Sequence, residues 1–197
     1  MGDILRRRQM MLEKSEPGEW DYEWDASKGL LQNNGNGWTY TVVGSTGYAC
    51  AISGDHLQFR GSSSNYKVYS YPTNYAIGVL EVEINVYSSN GIMQIWLSDG
   101  EHGIAVYARP GSSYGIYLGS GTSGTKLTGL TNNTKHTVRL VMKPNLLGDV
   151  YVDDVLKTED VDLSTNSYDV TKILGRGSGS GNQYSYLYSV KMKFNRN

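Results

Sequence analysis

Two glutamates one residue apart, Glu81 and Glu83, stand in the run Val79-Leu80-Glu81-Val82-Glu83-Ile84. On an extended chain such residues share a face. A carboxylate pair on one face can serve as acid and base in glycoside hydrolysis, which asks for separations of about 5–5.5 Å or about 6.5–9.5 Å. Further along, Gln94, Trp96, Tyr107, Arg109 and Tyr117 occupy the polar side of alternating runs. Aromatic rings stack on the C–H faces of saccharides, while amide, carboxylate and guanidinium groups supply the donors and acceptors that hydroxyls need. Asp99 and Glu101 flank Gly100, and Asp153-Asp154 form a second acidic pair. Such turns can hold calcium, which takes six to eight oxygens, or simply form turns. Cys50 is the single cysteine, so there is no internal disulfide, cysteine zinc site or redox pair, and it reads as a small buried residue. His56, His102 and His136 lie in separate segments and read as surface or turn histidines, with no Ser-His-Asp or Cys-His arrangement in the local sequence.

The elements that must position these groups are strands. From Trp20 onward, apolar alternation runs in stretches bounded by Gly, Asn, Ser and Asp, with strands expected at 38–43, 48–52, 56–60, 67–71, 76–86, 92–98, 104–109, 115–118, 136–143, 149–152, 155–156, 168–174 and 184–194. The connections are too short for helical crossovers, so antiparallel pairing is expected. Ser89-Asn90-Gly91 and Asp153-Asp154 read as hairpin turns, and 175–181 as a flexible glycine loop rather than a phosphate cradle. Alternation sends Leu80, Val82, Ile84, Met93, Ile95, Leu97, Ile104, Val106, Ala108, Ile116 and Leu118 inward. If the four segments from 79 to 118 pair as a meander, Glu81, Glu83, Gln94, Trp96, Tyr107, Arg109 and Tyr117 lie on one outward surface. That surface either binds a ligand or is solvated, with Trp96 under a loop or against the N-terminal segment. Tyr184, Tyr186 and Tyr188 share parity with Val190, Met192 and Phe194 and are expected on the core side.

Composition agrees with an all-β fold: 39% hydrophobic and 19% charged residues, with 24 Gly and 16 Tyr in 197 residues. One β domain of this length is common. The net charge of -1 argues against a nucleic-acid partner. No apolar run is long enough to cross a bilayer, and Arg6-Arg7-Arg8 precede no signal-peptide core, so export by a signal peptide is not expected. Residues 3–14 have a helical pattern with Asp3 as N-cap and Ile4, Leu5, Met11 and Leu12 on one side. They read as a tail or as a short helix docking on a partner. The expected division is an N-terminal segment at 1–19 and a sandwich at 20–197.

Four segments carry a family resemblance: Trp24-Asp25-Ala26-Ser27-Lys28-Gly29-Leu30-Leu31 running into Gly37-Trp38; Gly78 to Ile84; His136 to Leu140 followed by Asp149 to Leu156; and Leu187 to Met192. Together they resemble the concanavalin A-like lectin/glucanase superfamily, in particular laminin-G-like jelly rolls. The resemblance implies an antiparallel β-sandwich, a scaffold shared by lectins, hydrolases, lyases and adhesion modules. Residues 4–11 also resemble the start of small phage and prophage proteins of gut Firmicutes. Glucanases of this superfamily carry a Glu-x-Asp-x-Glu strand where Ala105, Tyr107 and Arg109 stand here, and the jelly-roll lyases carry Gln-x-His where this chain has Gln94-Ile95-Trp96.

The expected function is therefore a non-catalytic carbohydrate-binding or adhesion module, associated with a phage or prophage virion, with a glycan or cell-surface polysaccharide as partner. A homo-oligomer or virion contact through residues 1–18 accompanies it. No catalytic residue, no cofactor other than calcium at Asp99, Glu101, Asp153 or Asp154, no nucleic acid and no membrane insertion are expected. The alternatives are a structural virion assembly protein and a glycoside hydrolase or polysaccharide lyase using Glu81 and Glu83.

Overall fold

The aliphatic residues on one side of each run cannot be covered by a single sheet, so two sheets must face each other. The computed structural model describes residues 20–32, 37–44, 50–72, 77–86, 91–109, 115–121, 123–131, 133–177 and 183–194; the expected N-terminal segment and the turn residues Ser89 and Asn90 lie outside these. One sheet orders β13 (Val155–Asp162), β12 (Leu147–Val152), β11 (His136–Lys143), β6 (Ile77–Val86), β15 (Gln183–Phe194), β4 (His56–Gly61) and β3 (Ala51–Ser53), with β1 (Tyr22–Asp25) pairing on β15. The other orders β10 (Lys126–Gly129), β9 (Gly115–Leu118), β8 (Gly103–Ala108), β7 (Gly91–Ser98), β14 (Thr171–Gly177), β5 (Tyr66–Tyr71) and β2 (Thr39–Val43). All pairings are antiparallel. The architecture is the expected antiparallel β-sandwich.

Leu80, Val82 and Ile84 of β6 meet Met93, Ile95 and Leu97 of β7 in one buried cluster, joined by Phe59, Tyr69, Val106, Ile173, Val190 and Met192. The aliphatic residues expected inward are inward. Among the described residues the first strand pairs with the last: Trp24 lies opposite Val190, is buried, and donates its indole N–H to the Gly29 carbonyl at 3.0 Å. Strands β1 and β10 were not anticipated, because four residues carry too little alternation to stand out.

Three expectations fail on physical grounds. First, β6 pairs with β11 and β15, while β7 pairs with β8 and β14, so the connection between them passes from one sheet to the other instead of forming a hairpin. Second, Gly175 and Gly177 belong to β14 and not to a loop. A Cβ on Gly175 would lie 2.5 Å from the Phe59 Cβ, so glycine lets the sheets approach at that ring. Third, the register of β15 on β6 slips between Leu187 and Ser189, which makes Tyr188 the extra residue of a β-bulge. The slip reverses parity within the strand. Leu187 and Ser185 point inward on one side of the bulge, Val190 and Met192 on the other, and Tyr186 and Tyr188 turn outward against His56, at ring-centroid distances of 4.3 and 5.3 Å.

The Asp153-Asp154 hairpin is confirmed between β12 and β13, with φ of 52° and 60°. Positive φ at both positions is the two-residue turn whose twist matches the flanking strands.

Candidate functional site

The change of sheet between β6 and β7 divides the expected surface. Strands β7, β8 and β9 do form a meander, with Gln94 opposite Tyr107 and Tyr107 opposite Tyr117. Gln94, Trp96, Tyr107 and Tyr117 therefore share the outer face of the seven-stranded sheet, and Arg109 follows β8 at the same parity. Glu81 and Glu83 sit on the outer face of the other sheet, so the proposed single surface of seven residues does not exist.

On that other face the glutamates are held by cations. Glu81 pairs with Arg139 at 3.6 Å and Lys191 at 3.3 Å, and Glu83 with Lys135 at 3.9 Å. Arg139 also reaches Asp154 at 3.6 Å and lies 4.5 Å from the Tyr151 ring centroid. Glu81 is thereby tied to the two strands that flank β6, through Arg139 of β11 and Lys191 of β15.

Asp99 and Asp153 are likewise engaged. One Asp99 oxygen accepts from the backbone N–H of Glu101 at 2.9 Å and of His102 at 2.7 Å. Asp153 accepts from the Thr137 N–H at 2.9 Å and bonds His136 Nδ1 at 2.8 Å. Among the described residues no group of three or more His, Cys, Asp or Glu side chains is placed to hold a metal ion.

The outer face of the seven-stranded sheet has a closed half and an open half. Over the meander, Gln94 donates to the Ser120 carbonyl at 2.7 Å, and Ile92, Tyr107 and Tyr117 form a buried cluster of their own. Gln94, Tyr107 and Tyr117 are 7%, 6% and 9% exposed, too little to stack on a sugar. Beyond β7 the face opens. Trp96 lies opposite Lys172, Lys172 opposite Ser70, and Ser70 opposite Thr39, a row across β7, β14, β5 and β2. A second row joins Gln94, Leu174, Val68 and Thr41. Thr39 and Thr41 are exposed, and Trp96, Lys172, Ser70 and Val68 partly so.

Trp96 is the one expected aromatic left accessible, and it does not stand alone. Its ring stacks on Tyr168, 5.4 Å between centroids at 30°, and Lys172 Nζ lies 4.8 Å from its centroid. Tyr168 is held there by its N–H to the Glu101 carbonyl at 3.3 Å and by the Ser98 hydroxyl, which donates to its carbonyl. The tyrosine ring rests on Gly103, where a Cβ would fall 2.9 Å from Tyr168 Cδ2. Burial holds the Tyr168 phenol above its ordinary pKa. The Trp96 indole N–H is enclosed and meets no protein acceptor.

Lys172, Ser70, Tyr66, Arg176 and Tyr168 escape the sequence reading. The strands of Lys172 and Ser70 were legible, whereas Arg176 falls in the stretch read as a loop and Tyr168 precedes β14; Trp96 and Lys172 become neighbours only through pairing across 76 intervening steps of chain, a non-local contact that alternation does not encode. The seven strands of this sheet contain no Asp or Glu.

The fold is a jelly-roll β-sandwich, an architecture also found in a lectin-type carbohydrate recognition domain and in β-glucanases. Within it, the carbohydrate recognition domain of Emp46p in its potassium-bound form superposes with a TM-score of 0.59 at 14% identity, covering 88% of this chain and 97% of that one. A carbohydrate-binding module from Bacillus subtilis gives 0.53 at 15% identity over 80% and 96%, and the Bacillus licheniformis β-glucanase 0.56 at 15% over 84% and 96%. No family model matches the chain, and no curated protein matches it in sequence. At such identities the likeness is one of fold.

Proposed function

We propose that the chain is a non-catalytic carbohydrate-binding module whose ligand lies along the open half of the seven-stranded sheet, across Trp96, Lys172, Ser70 and Thr39. The observation that carries this reading is a strand set with an accessible ring and hydroxyls but no carboxylate. Hydrolysis by an acid–base pair needs two carboxylates flanking the bond to be broken. Binding needs only a stacking platform and hydrogen-bonding groups. Fold relatives include both a carbohydrate recognition domain and a carbohydrate-binding module.

A glycan array with wild type and Trp96→Ala tests this. The expected result is binding of at least one glycan by wild type and a loss of tenfold or more in the variant, the scale of one base-like stacking contact at ~1–3 kcal/mol. No glycan bound, or binding unchanged in Trp96→Ala, sinks the assignment. A virion or adhesion setting follows the resemblance of residues 4–11 and predicts that the glycans recognised are bacterial cell-surface polysaccharides.

The β-glucanases among the fold relatives give the second reading, an enzyme using Glu81 and Glu83. Release of reducing ends from a polysaccharide panel would favour it over simple binding.

A further inference from the structure

The strands of the seven-stranded sheet carry Lys67, Lys126, Lys172 and Arg176 and no acid, although the chain as a whole has 19 Asp and Glu against 18 Lys and Arg. The carboxylates are concentrated elsewhere. On the outer face of the opposite sheet Glu81, Glu83, Asp55 and Asp154 are each paired with a cation. Among the described residues the open half of the seven-stranded sheet has no such ion pair beyond that of Lys172 with Asp169, a 79% exposed partner at 2.9 Å.

Two of its cations are each joined to an aromatic ring. Lys172 Nζ lies 4.8 Å from the Trp96 centroid, and the Arg176 guanidinium lies 5.4 Å from that of Tyr66. Arg176 Nη1 donates to the Ser63 carbonyl at 3.2 Å, and among the described residues no carboxylate pairs with it. A guanidinium has five N–H donors, so several remain for an anion. Lys172 and Arg176 are four residues apart on β14, both at outward parity, which separates them by about 13 Å along the strand.

A ring beside a cation suits a sugar that bears an acid group, the ring stacking while the carboxylate meets the charge. Two such couples about 13 Å apart suit a chain that repeats that sugar better than a single acidic terminus. We infer that the ligand of this face is an acidic polysaccharide of the polyuronate type. This rests on the carbohydrate-binding reading above and adds the charge of the ligand to it.

Affinity electrophoresis in native gels tests the inference, with polygalacturonate, the neutral glucan laminarin or inorganic polyphosphate in the gel. The expected result is retardation by polygalacturonate, weakened at least tenfold by K172Q/R176Q, retained by the charge-conserving K172R/R176K, and diminished by added salt as exposed charges are screened. The two double variants should keep the wild-type circular dichroism. Retardation by laminarin and not by polygalacturonate overturns the acidic-ligand inference and leaves the carbohydrate reading standing. Polyphosphate retarding wild type and W96A as strongly as polygalacturonate does also overturns it, because the face would then read charge without a ring. Failure to bind any saccharide here and on the array overturns the parent reading itself.

Discussion

Glu81 and Glu83 lie one residue apart on one face, as a glycosidase pair would, yet their surroundings assign them to architecture. Glu81 is only 15% exposed at its side chain and sits between Arg139 and Lys191; Glu83 is 36% exposed and faces Lys135 at 3.9 Å. Partly exposed pairs of this kind contribute roughly 0.2–1 kcal/mol each. Glu81→Gln and Glu83→Gln should therefore lower the thermal midpoint by a few degrees at most and leave glycan binding unchanged. Abolished binding in either variant with the fold intact, measured on the same array, would move the site to the eight-stranded sheet. Trp96 shows the opposite balance. It has the exposure and the ring for a ligand, and its cost is an indole donor that the protein leaves without an acceptor.

At the scale of elements, β14 and β15 carry the departures from simple alternation. The bulge at Tyr188 allows Leu187 and Val190 both to face the core, which uninterrupted alternation forbids for residues three apart. The tyrosines are thereby delivered to the outer surface, where Lys135 Nζ lies 3.7 Å from the Tyr188 ring centroid. On β14, Gly175 lies directly against Phe59 of the opposite sheet. Gly175→Ala would place a Cβ 2.5 Å from that of Phe59, which is fully buried and has nowhere to retreat. Overpacking of this sort costs about 1–3 kcal/mol, or roughly 2–4 °C of midpoint per kcal/mol at this chain length. Thermal unfolding followed by circular dichroism measures it, and an unaltered midpoint would mean that the sheets separate freely there.

At the scale of the whole molecule, the core sets a pH response. Burial pushes the Cys50 thiol up to about 11 and holds the Tyr69 hydroxyl above its ordinary value of 10.0. Both folded values lie above the unfolded ones, so above about pH 9 the unfolded chain has lost protons that the folded chain keeps. Stability from these groups is fully present below that pH and declines as pH rises through 9 to 11, by up to about 1.4 kcal/mol per unit and per group. Midpoints measured from pH 7 to 11 should be level at first and then fall, with unfolding and tyrosinate absorbance appearing together. Tyrosine ionisation complete by pH 10.5 in a still-folded protein would contradict the burial of Tyr69. The two outer faces also differ as wholes: one carries mutually paired charges, while the strands of the other hold cations alone.

The longer strands, their inward aliphatic residues and the absence of a disulfide were determined by the sequence itself, because period-two alternation and turn residues are local properties written within five to ten residues. The Asp153-Asp154 hairpin was legible for the same reason. Tertiary structure alone decided which sheet each strand joins, and this separated Glu81 and Glu83 from Trp96 and brought Lys172, Ser70 and Thr39 to it. It also decided the Tyr188 register slip and the covering of Tyr107 and Tyr117. Those choices minimise the apolar area exposed by the whole chain at once, a sum over contacts distant in sequence that no single run of residues contains.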